Sequence, residues 1–281
     1  MAIHLHTICW NDAKMLPFFF RHYDPWVDRY VIHDDGSTDG SRELLEAHPK
    51  VVMKDLQRCD PNSLVNSVKH INNTSWLEDF GSDDWIVCPS IDEHLYHADM
   101  GSYLERCARY GVNLIPALGY QMVSLEYPKG DGLIYEQCSE GAPWDPMSKA
   151  ILFRPGRLES FAFEVGRHTA YITGDVVIPA VPEVLNLHFK YMDLVVLEKR
   201  QRELATGLGA TDVKKRWGFQ YFFTSEELQR DFERFYRSRI RVFSDEHRPD
   251  RDHQESRWWE GKDFREVVVP KGPEAKGLGA S

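Results

Sequence analysis

Short apolar runs alternate with segments of helical periodicity along the first 118 residues. The apolar runs that favour strands occupy residues 3–9, 30–33, 51–53, 85–88 and 112–117. Apolar residues at helical spacing fill the intervals, and the first of these segments starts at Pro17, a residue suited to the first turn of a helix. This order predicts an α/β fold of GT-A-like or Rossmann-like type, with a mostly parallel sheet flanked by helices.

The pattern becomes less regular between residues 119 and 192, which are rich in Gly, Pro and aromatic residues. We expect loops and an antiparallel extension there, with strands at 150–154 and 185–189. Residues 193–270 predict a C-terminal helical part, in which Thr224 and Glu227 form a capping box. An apolar stripe follows that capping box and indicates core packing; it comprises Leu228, Phe232, Phe235, Tyr236 and Phe243. Residues 271–281 are expected to form a flexible tail.

Two acidic clusters follow predicted strands. The first is the segment DDGSTDG at 34–40, and the second is Asp92-Glu93. Doubly wound sheets bind their ligands at the carboxyl ends of the strands, so we expect both clusters to face one crevice. Within the first cluster, Gly36 would allow close approach of a ligand, and Asp39 would cap the following helix.

Composition narrows the class of protein. The 281 residues, 42% hydrophobic, suit one large α/β domain, alone or with a helical appendage. The five cysteines form no CxxC pair, which argues against a disulfide framework or a structural zinc site and favours a reducing compartment. Because the sequence contains no apolar run of about 20 residues and no signal-peptide pattern, we predict a cytoplasmic protein without a transmembrane segment.

The formal net charge of −10 makes nucleic acid an unlikely partner, because a phosphate backbone would repel the chain. Local basic patches could still bind a phosphorylated ligand, or they could be solvated helix faces. The first patch consists of Lys190, Lys199, Arg200 and Arg202, and the second of Lys214, Lys215 and Arg216.

The segments CWND at 9–12 and DDGSTDGS at 34–41 resemble the start of family 2 type glycosyltransferases with the GT-A fold. The resemblance covers the first strand–helix–strand–helix unit. It implies a nucleotide-diphospho-sugar donor, with a UDP-sugar expected, and a hydroxyl-bearing acceptor such as a glycan or small molecule. It also implies that residues 1–118 bind the donor through Cys9, Trp10, Asn11, Asp34, Asp35, Ser37 and Asp39.

The same family typically carries an Asp-x-Asp motif after the fourth strand, and the segment SIDEHLY at 90–96 resembles it. Ser90 stands where the first Asp is expected, and Asp92 is the implied metal ligand. The segment LHFKY at 187–191 resembles a late motif whose His188 would complete a Mn²⁺ or Mg²⁺ site. The resemblance further implies donor contacts from Ser90, Ile91 and Lys190, with residues 119–192 on the acceptor side.

An inverting transfer needs a general base near the acceptor hydroxyl. The candidates in the middle region are Glu164, Asp145, His168 and Asp131. Lys149 and Arg154 flank a predicted strand, where they would face either a phosphate or the edge of the sheet. Trp144 and Tyr120 would form either an acceptor platform or buried packing.

Two other functions stay open. A sugar-phosphate nucleotidyltransferase would carry a Gly-rich basic loop after the first strand, whereas this chain has WNDA at 10–13. A non-catalytic nucleotide-sugar binder is the other alternative, because Ser90 replaces an acidic residue. Donor hydrolysis without acceptor distinguishes a transferase from such a binder.

Overall fold

A computed structural model describes residues 1–244, 249–253 and 255–271, and it shows a mixed α/β fold. Within these residues the strands are β1 (Ile3–Cys9), β2 (Arg29–Asp34), β3 (Val51–Asp55), β4 (Trp85–Val87), β5 (Glu93–Tyr96), β6 (Leu114–Ser124), β7 (Glu140–Pro143), β8 (Lys149–Phe153), β9 (Ser160–Phe163), β10 (Ala170–Thr173), β11 (Val177–Pro179), β12 (Val184–Met192), β13 (Ile240–Arg241) and β14 (Arg265–Val267). The α-helices there are α1 (Leu16–Tyr23), α2 (Ser41–Ala47), α3 (Leu64–Thr74), α4 (Met100–Arg109), α5 (Ile134–Gln137), α6 (Leu194–Gly207), α7 (Ala210–Lys214), α8 (Ser225–Arg237) and α9 (Pro249–Asp252).

The N-terminal half of the main sheet is parallel, in the order β3-β2-β1-β4. Cys9 pairs with Asp34, and Leu5 pairs with Val87, so these strands end at the same edge. The predicted α/β class, with a central, mostly parallel sheet between helices, is confirmed. β4 is buried throughout and is a continuous apolar run, β1 and β2 are mostly buried, and β3 at the edge of the sheet is partly exposed.

The other half of the ten-stranded sheet is largely antiparallel. β8 lies between β4 and β6, and β7 and β13 follow on the far side of β6. β12 pairs with β6 in parallel and with β5 in antiparallel orientation. The expected antiparallel extension is therefore present, whereas β5 was not expected, since the acidic turn before it obscures this four-residue strand.

The hydrophobic core covers the main sheet, and a smaller cluster lies under α8. The expected apolar stripe of α8 is buried at Leu228, Phe232 and Phe235. Phe243 was wrongly included, because the helix ends at Arg237; its ring instead packs 4.9 Å from the ring of Tyr96.

The start of α2 also differs from expectation. Gly40, with a φ of 98°, is the N-cap residue, and Asp39 precedes it. Asp39 nevertheless accepts a hydrogen bond from the backbone N–H of Ser41 at 3.0 Å. The carboxylate therefore still stabilises the first turn, from one position further out than the sequence suggested.

The C-terminal part combines α6, α7 and α8 with the short strands β13 and β14. Residues 272–281 of the expected tail lie outside the described residues. In the ranges that the structure covers, none of the helices has the length and apolar character that crossing a membrane requires.

Acid is expected to destabilise this fold through His33 on β2. His33 is 8% exposed, and neither of its ring nitrogens has a hydrogen-bond partner in the described part of the chain. Burial, together with the positive charges of Lys54 and His6, lowers the pKa of His33 to about 4. The unfolded chain protonates near pH ~6.5, so stability is complete above that pH and falls as the pH drops towards 4, by about 2 kcal/mol at about pH 5.

His33→Phe keeps a ring but removes the titration. The free energy of unfolding, measured with urea, falls in the wild type as the pH is lowered from about 7.5 to about 5. In the variant this loss should be smaller by about 2 kcal/mol. His70 is exposed, so His70→Phe should leave the pH dependence unchanged. An undiminished acid effect in His33→Phe would contradict the prediction.

Candidate donor and metal site

The two acidic clusters lie at the same edge of the sheet. The backbone N–H of Asp35 donates to the carbonyl of Cys9 at 2.9 Å, which joins the ends of β1 and β2. The hydroxyl of Thr7 donates to the carbonyl of Pro89 at 2.7 Å, which joins β1 to the segment after β4. The loops after β1, β2 and β4 therefore lie next to one another, as the strand pattern predicted.

Asp34 shapes the loop after β2. Its Oδ2 accepts hydrogen bonds from the backbone N–H groups of Gly36 and Ser37, both at 3.1 Å, and from Arg42 Nη1 at 2.7 Å. Asp34 is only 1% exposed, and its Oδ1 has no partner among the described residues. These bonds hold the DDGSTDG turn in shape.

The remaining polar residues of this loop contact the loop after β1. Ser37 Oγ accepts from the N–H of Asn11 at 2.9 Å, and Asp39 Oδ2 accepts from the N–H of Ala13 at 3.0 Å. Asp35 forms a two-bond ion pair with Arg58, at 2.7 and 3.1 Å. The structure therefore brings the expected donor-binding residues together, with several of their polar groups engaged with each other.

Helix α6 closes one side of this region. Arg200 Nη2 donates to the carbonyl of Trp10 and to Asp12 Oδ1, both at 2.8 Å. Asn11 Nδ2 donates to Glu203 Oε1 at 2.8 Å. The sequence indicated Arg200 only as part of a basic patch, and it contained no signal for the contact between Glu203 and Asn11.

Asp92 and His188 meet beside the same loops. His188 on β12 pairs with Glu93 on β5, and the N–H of Phe189 donates to the carbonyl of Asp92 at 2.7 Å. This register places His188 Nε2 at 3.3 Å from Asp92 Oδ2. Two side chains that are distant in sequence thus approach as a metal-ligand pair would require.

Gln121 on β6 determines which nitrogen of His188 carries a proton. Gln121 Nε2 donates to the carbonyls of His188 and Met122, at 2.9 and 3.1 Å, so its Oε1 is left to accept. That oxygen lies 2.7 Å from His188 Nδ1, which must therefore be the donor. A proton on Nε2 would be donated to Asp92 Oδ2, and a divalent cation bound between these two atoms would take the place of that proton.

Positive charges surround this pair. Burial would raise the pKa of Asp92, but His188, Lys190 and Arg200 hold it well below its usual range. Burial lowers the pKa of Lys190 to about 8, against the attraction of Asp92. Lys190 Nζ also lies 4.7 Å from the ring centre of Tyr221.

The donor atoms fit a divalent cation that takes its other ligands from a substrate. One carboxylate and one imidazole suit Mn²⁺ or Mg²⁺ bound to phosphate oxygens and water. In the described part of the chain, no group of three or more His, Cys, Asp or Glu side chains is arranged to hold a metal ion. Asp92 and His188 alone would therefore bind such an ion weakly before substrate arrives.

Ser90 and Ile91 precede Asp92 in the same turn. Ile91 is 2% exposed and packs in the main core, whereas Ser90 is partly exposed. Ser90 Oγ accepts a hydrogen bond from Arg167 Nη2 at 2.6 Å. Arg167 lies in the segment FEVGRH at 163–168, where the sequence suggested Glu164 and His168 but gave no reason to select the arginine.

The candidate bases occupy different surroundings. Glu164 is exposed and pairs with Lys69 Nζ at 2.7 Å, and Asp131 lies in an exposed loop. His168 Nδ1 lies 2.5 Å from the carbonyl of Pro146, so it donates there and leaves Nε2 unprotonated. Asp145 directly precedes Pro146, so His168 and Asp145 belong to the same part of the surface.

Of the other suggested residues, two lie at or next to the site and two lie away from it. Trp144 lies at the site, with its ring 6.2 Å from that of His188, and Lys149 lies behind it, bound to Glu93. Arg154 lies at the opposite end of β8, where it pairs with Asp83. Tyr120 is fully buried, and its ring packs against His253, as the packing alternative predicted.

Two residues of the first basic patch, Lys190 and Arg200, are close enough to Asp92 to lower its pKa. Arg202 pairs with Glu198 at 2.5 Å, and Lys199 is exposed. The second patch is exposed as well, with Lys215 Nζ 4.3 Å from the ring centre of Trp217. These remaining residues therefore fit solvated surface positions.

No protein-family model and no curated protein matches this chain. Among solved structures, it is similar to a crystal structure of S. aureus TarS 1-349, with a TM-score of 0.40 and 8% identity over 73% of this chain and 65% of that chain. A second S. aureus TarS structure gives the same score and identity over 73% of this chain and 39% of its own. The complex of TarS 1-349 with UDP-GlcNAc gives a TM-score of 0.37 and 8% identity, over 73% and 66%. The chain thus spans less than two thirds of the length of the first two TarS chains.

Proposed function

We propose that this protein is a glycosyltransferase that moves a sugar from a nucleotide-diphosphate donor to a hydroxyl group of an acceptor. A UDP-sugar is the expected donor. The observation that carries the proposal is the approach of Asp92 and His188 to 3.3 Å beside the loops after β1 and β2. The resemblance of the segments at 9–12, 34–41 and 90–96 to family 2 type GT-A enzymes supports the same function.

Asp92 and His188 would hold Mn²⁺ or Mg²⁺, and the bound ion would stabilise negative charge on the leaving diphosphate. Lys190 and Arg200 would add positive charge on the same side, since both act on Asp92. Asp34, Asp35 and Ser37 would form the wall of the nucleoside pocket. The donor would thus bind at the carboxyl ends of the parallel strands.

We propose Asp145 as the general base. It follows Trp144, whose ring faces His188, and its Oδ1 is buried without a hydrogen-bond partner among the described residues. Burial raises the pKa of Asp145, and the neighbouring Glu255 adds to this effect against the charge of His253. A carboxylate with a raised pKa is suited to accept the proton of an acceptor hydroxyl.

A thermal-shift screen of nucleoside diphosphates, with and without Mn²⁺, tests the donor site. A ligand that binds only the native state must raise its melting temperature. We expect one nucleoside diphosphate to do so, and to a greater extent with Mn²⁺. The proposal fails if none of them stabilises the protein.

A non-catalytic nucleotide-sugar binder is the second candidate, because Ser90 stands where a carboxylate is typical. Incubation of the stabilising nucleotide-sugar with metal, without acceptor, separates the two functions. A transferase slowly releases the nucleoside diphosphate. A binder releases heat on titration but no product.

Donor binding is expected to weaken above about pH 8, because burial lowers the pKa of Lys190 to about 8. As the pH rises through that value, Lys190 loses the charge that attracts the diphosphate. The donor KM should therefore rise by about tenfold between about pH 7 and about pH 9.5. Initial rates at each pH measure this change.

Lys190→Arg should flatten that rise, since a guanidinium stays charged throughout the range. Lys199→Arg makes the same exchange at an exposed position of α6 and should keep the wild-type profile. Identical alkaline profiles in Lys190→Arg and the wild type would contradict the role of Lys190.

A further inference from the structure

A buried group of charges lies directly behind the Asp92 turn. Lys149 Nζ donates to Glu93 Oε1 at 2.7 Å, and Arg167 Nη2 lies 3.4 Å from the same oxygen. Lys149 is 2% exposed, Arg167 6% and Glu93 2%. Lys149, Arg167 and Glu93 together carry one positive charge, and this charge lies next to the carboxylate of Asp92.

The backbone is strained where it places Arg167. Gly166 has a φ of 71° and Arg167 a φ of 57°. A left-handed conformation is uncommon in residues other than glycine, and it persists where the surroundings require it. A Cβ at position 166 would also lie 2.5 Å from His168 Nε2, so the His168 ring would have to shift. The fold thus tolerates local strain and thereby brings the guanidinium to Ser90.

The contact with Arg167 determines whether the Ser90 hydroxyl accepts or donates in its other hydrogen bonds. A guanidinium has only donors, so in the 2.6 Å contact Ser90 Oγ must accept. The hydroxyl hydrogen of Ser90 is then left to donate, and no residue in the described ranges accepts it. Ser90 is partly exposed and lies two positions before Asp92, so this hydrogen is available to a ligand. An aspartate here could only accept.

We propose that Ser90, Arg167 and Lys149 form an anion-recognition subsite beside the Asp92–His188 pair. The group bound there is an anionic oxygen, either of the donor's diphosphate or of a carboxylate on a sugar acid. A neutral hydroxyl could also accept from Ser90, but an anionic oxygen accepts the stronger hydrogen bond from a hydroxyl that is itself bonded to a guanidinium. The location of this subsite within a donor site rests on the proposed function.

Isothermal titration calorimetry on the full chain in EDTA tests the subsite without a metal. The separate probes are inorganic diphosphate, sodium glucuronate and uridine, the last as an uncharged control. Tighter binding of diphosphate assigns the subsite to the donor's phosphates, and tighter binding of glucuronate assigns it to a sugar carboxylate. If neither anion binds at millimolar concentrations, the proposal is overturned.

Arg167→Gln should weaken binding of the preferred anion by about tenfold or more. Arg157→Gln is the matched control, because it removes the same charge from an exposed ion pair with Asp83, and it should change binding by less than about twofold. Ser90→Ala removes only the hydroxyl at a partly exposed position and should weaken binding about three- to tenfold. It keeps the test valid if Arg167→Gln does not fold.

Ser90→Asp distinguishes a role in anion binding from a role in stabilising the fold. The new carboxylate would pair with Arg167, so the melting temperature should stay or rise while anion binding in EDTA weakens by about tenfold or more. A purely structural Arg167 predicts altered melting temperatures with unchanged anion affinity in all three variants, and that result would overturn the proposal.

Failure of the proposed function would look different from failure of the subsite. In that case no nucleoside diphosphate would stabilise the protein with Mn²⁺, yet the inorganic or sugar-acid anion would still bind in EDTA and still depend on Arg167. Conversely, if nucleotide binding is unchanged in Arg167→Gln and Ser90→Ala, the proposed function stands and the proposed subsite is wrong.

Discussion

Replacing Asp92 by asparagine is expected to lower metal-dependent turnover of the donor by about 10²–10³-fold. Burial would raise the pKa of Asp92, but His188, Lys190 and Arg200 keep it below its usual range, so the carboxylate is ionised at neutral pH. Asparagine keeps the shape of the side chain but offers a neutral oxygen opposite His188 Nε2. A divalent cation would then bind more weakly, and less of the diphosphate charge would be offset.

Release of nucleoside diphosphate across a Mn²⁺ titration measures this effect. Asp175→Asn makes the same chemical change in an exposed ion pair with Arg265, and its turnover should stay within about twofold of the wild type. Melting curves of both variants show whether the fold is intact. If Asp92→Asn turns over donor within about threefold of the wild type at saturating Mn²⁺, the metal role of Asp92 is wrong.

Lys149→Met is expected to destabilise the protein by about 3–5 kcal/mol, which lowers the Tm by roughly 10 °C. Lys149 and Glu93 are 2% exposed each, and their 2.7 Å contact is the shortest that Glu93 Oε1 makes. Burial would raise the pKa of Glu93, but Lys149 and Arg167 lower it to about 2. Without the lysine, the 3.4 Å contact with Arg167 is the one ion pair that Glu93 keeps among the described residues, and its charge is poorly compensated.

Urea denaturation of the single and double variants measures this loss. Lys149→Met combined with Glu93→Gln removes both charges of the pair, so it should recover a substantial part of the lost free energy. Lys214→Met makes the same exchange at an exposed position of α7 and should change stability by less than about 0.5 kcal/mol. A loss in Lys149→Met as small as that of Lys214→Met would show that the buried pair contributes little.

The parallel half of the sheet could be predicted from the sequence because its strands carry their own signal. β1 and β4 are short apolar runs that end in polar turns, as strands buried on both faces do. β5 has no such signal, since it starts with Glu93 and His94. Those polar residues are buried because of tertiary partners, namely Lys149 for Glu93 and the stacked ring of His22 for His94.

The site could be predicted only in part for the same reason. The resemblance to a known motif indicated Asp92 and His188, and the strand pattern placed the acidic loops at one edge. Gln121 acts on His188 through the register of β6 and β12, which periodicity does not determine. Arg167 reaches Ser90 through two left-handed residues, and no composition or spacing rule indicates such a turn.

The contact of α6 with the loop after β1 has a consequence for how the protein would respond to the proposed donor. Arg200 and Glu203 on α6 hydrogen-bond to Trp10, Asn11 and Asp12, so the arrangement of the loop after β1 depends on the position of this late helix. If the proposed donor binds to this loop, the packing of α6 and the binding of the donor are linked equilibria, and each favours the other by the same free energy. Hydrogen exchange should then slow both in residues 10–12 and in α6 when the donor binds, although the two segments are far apart in sequence.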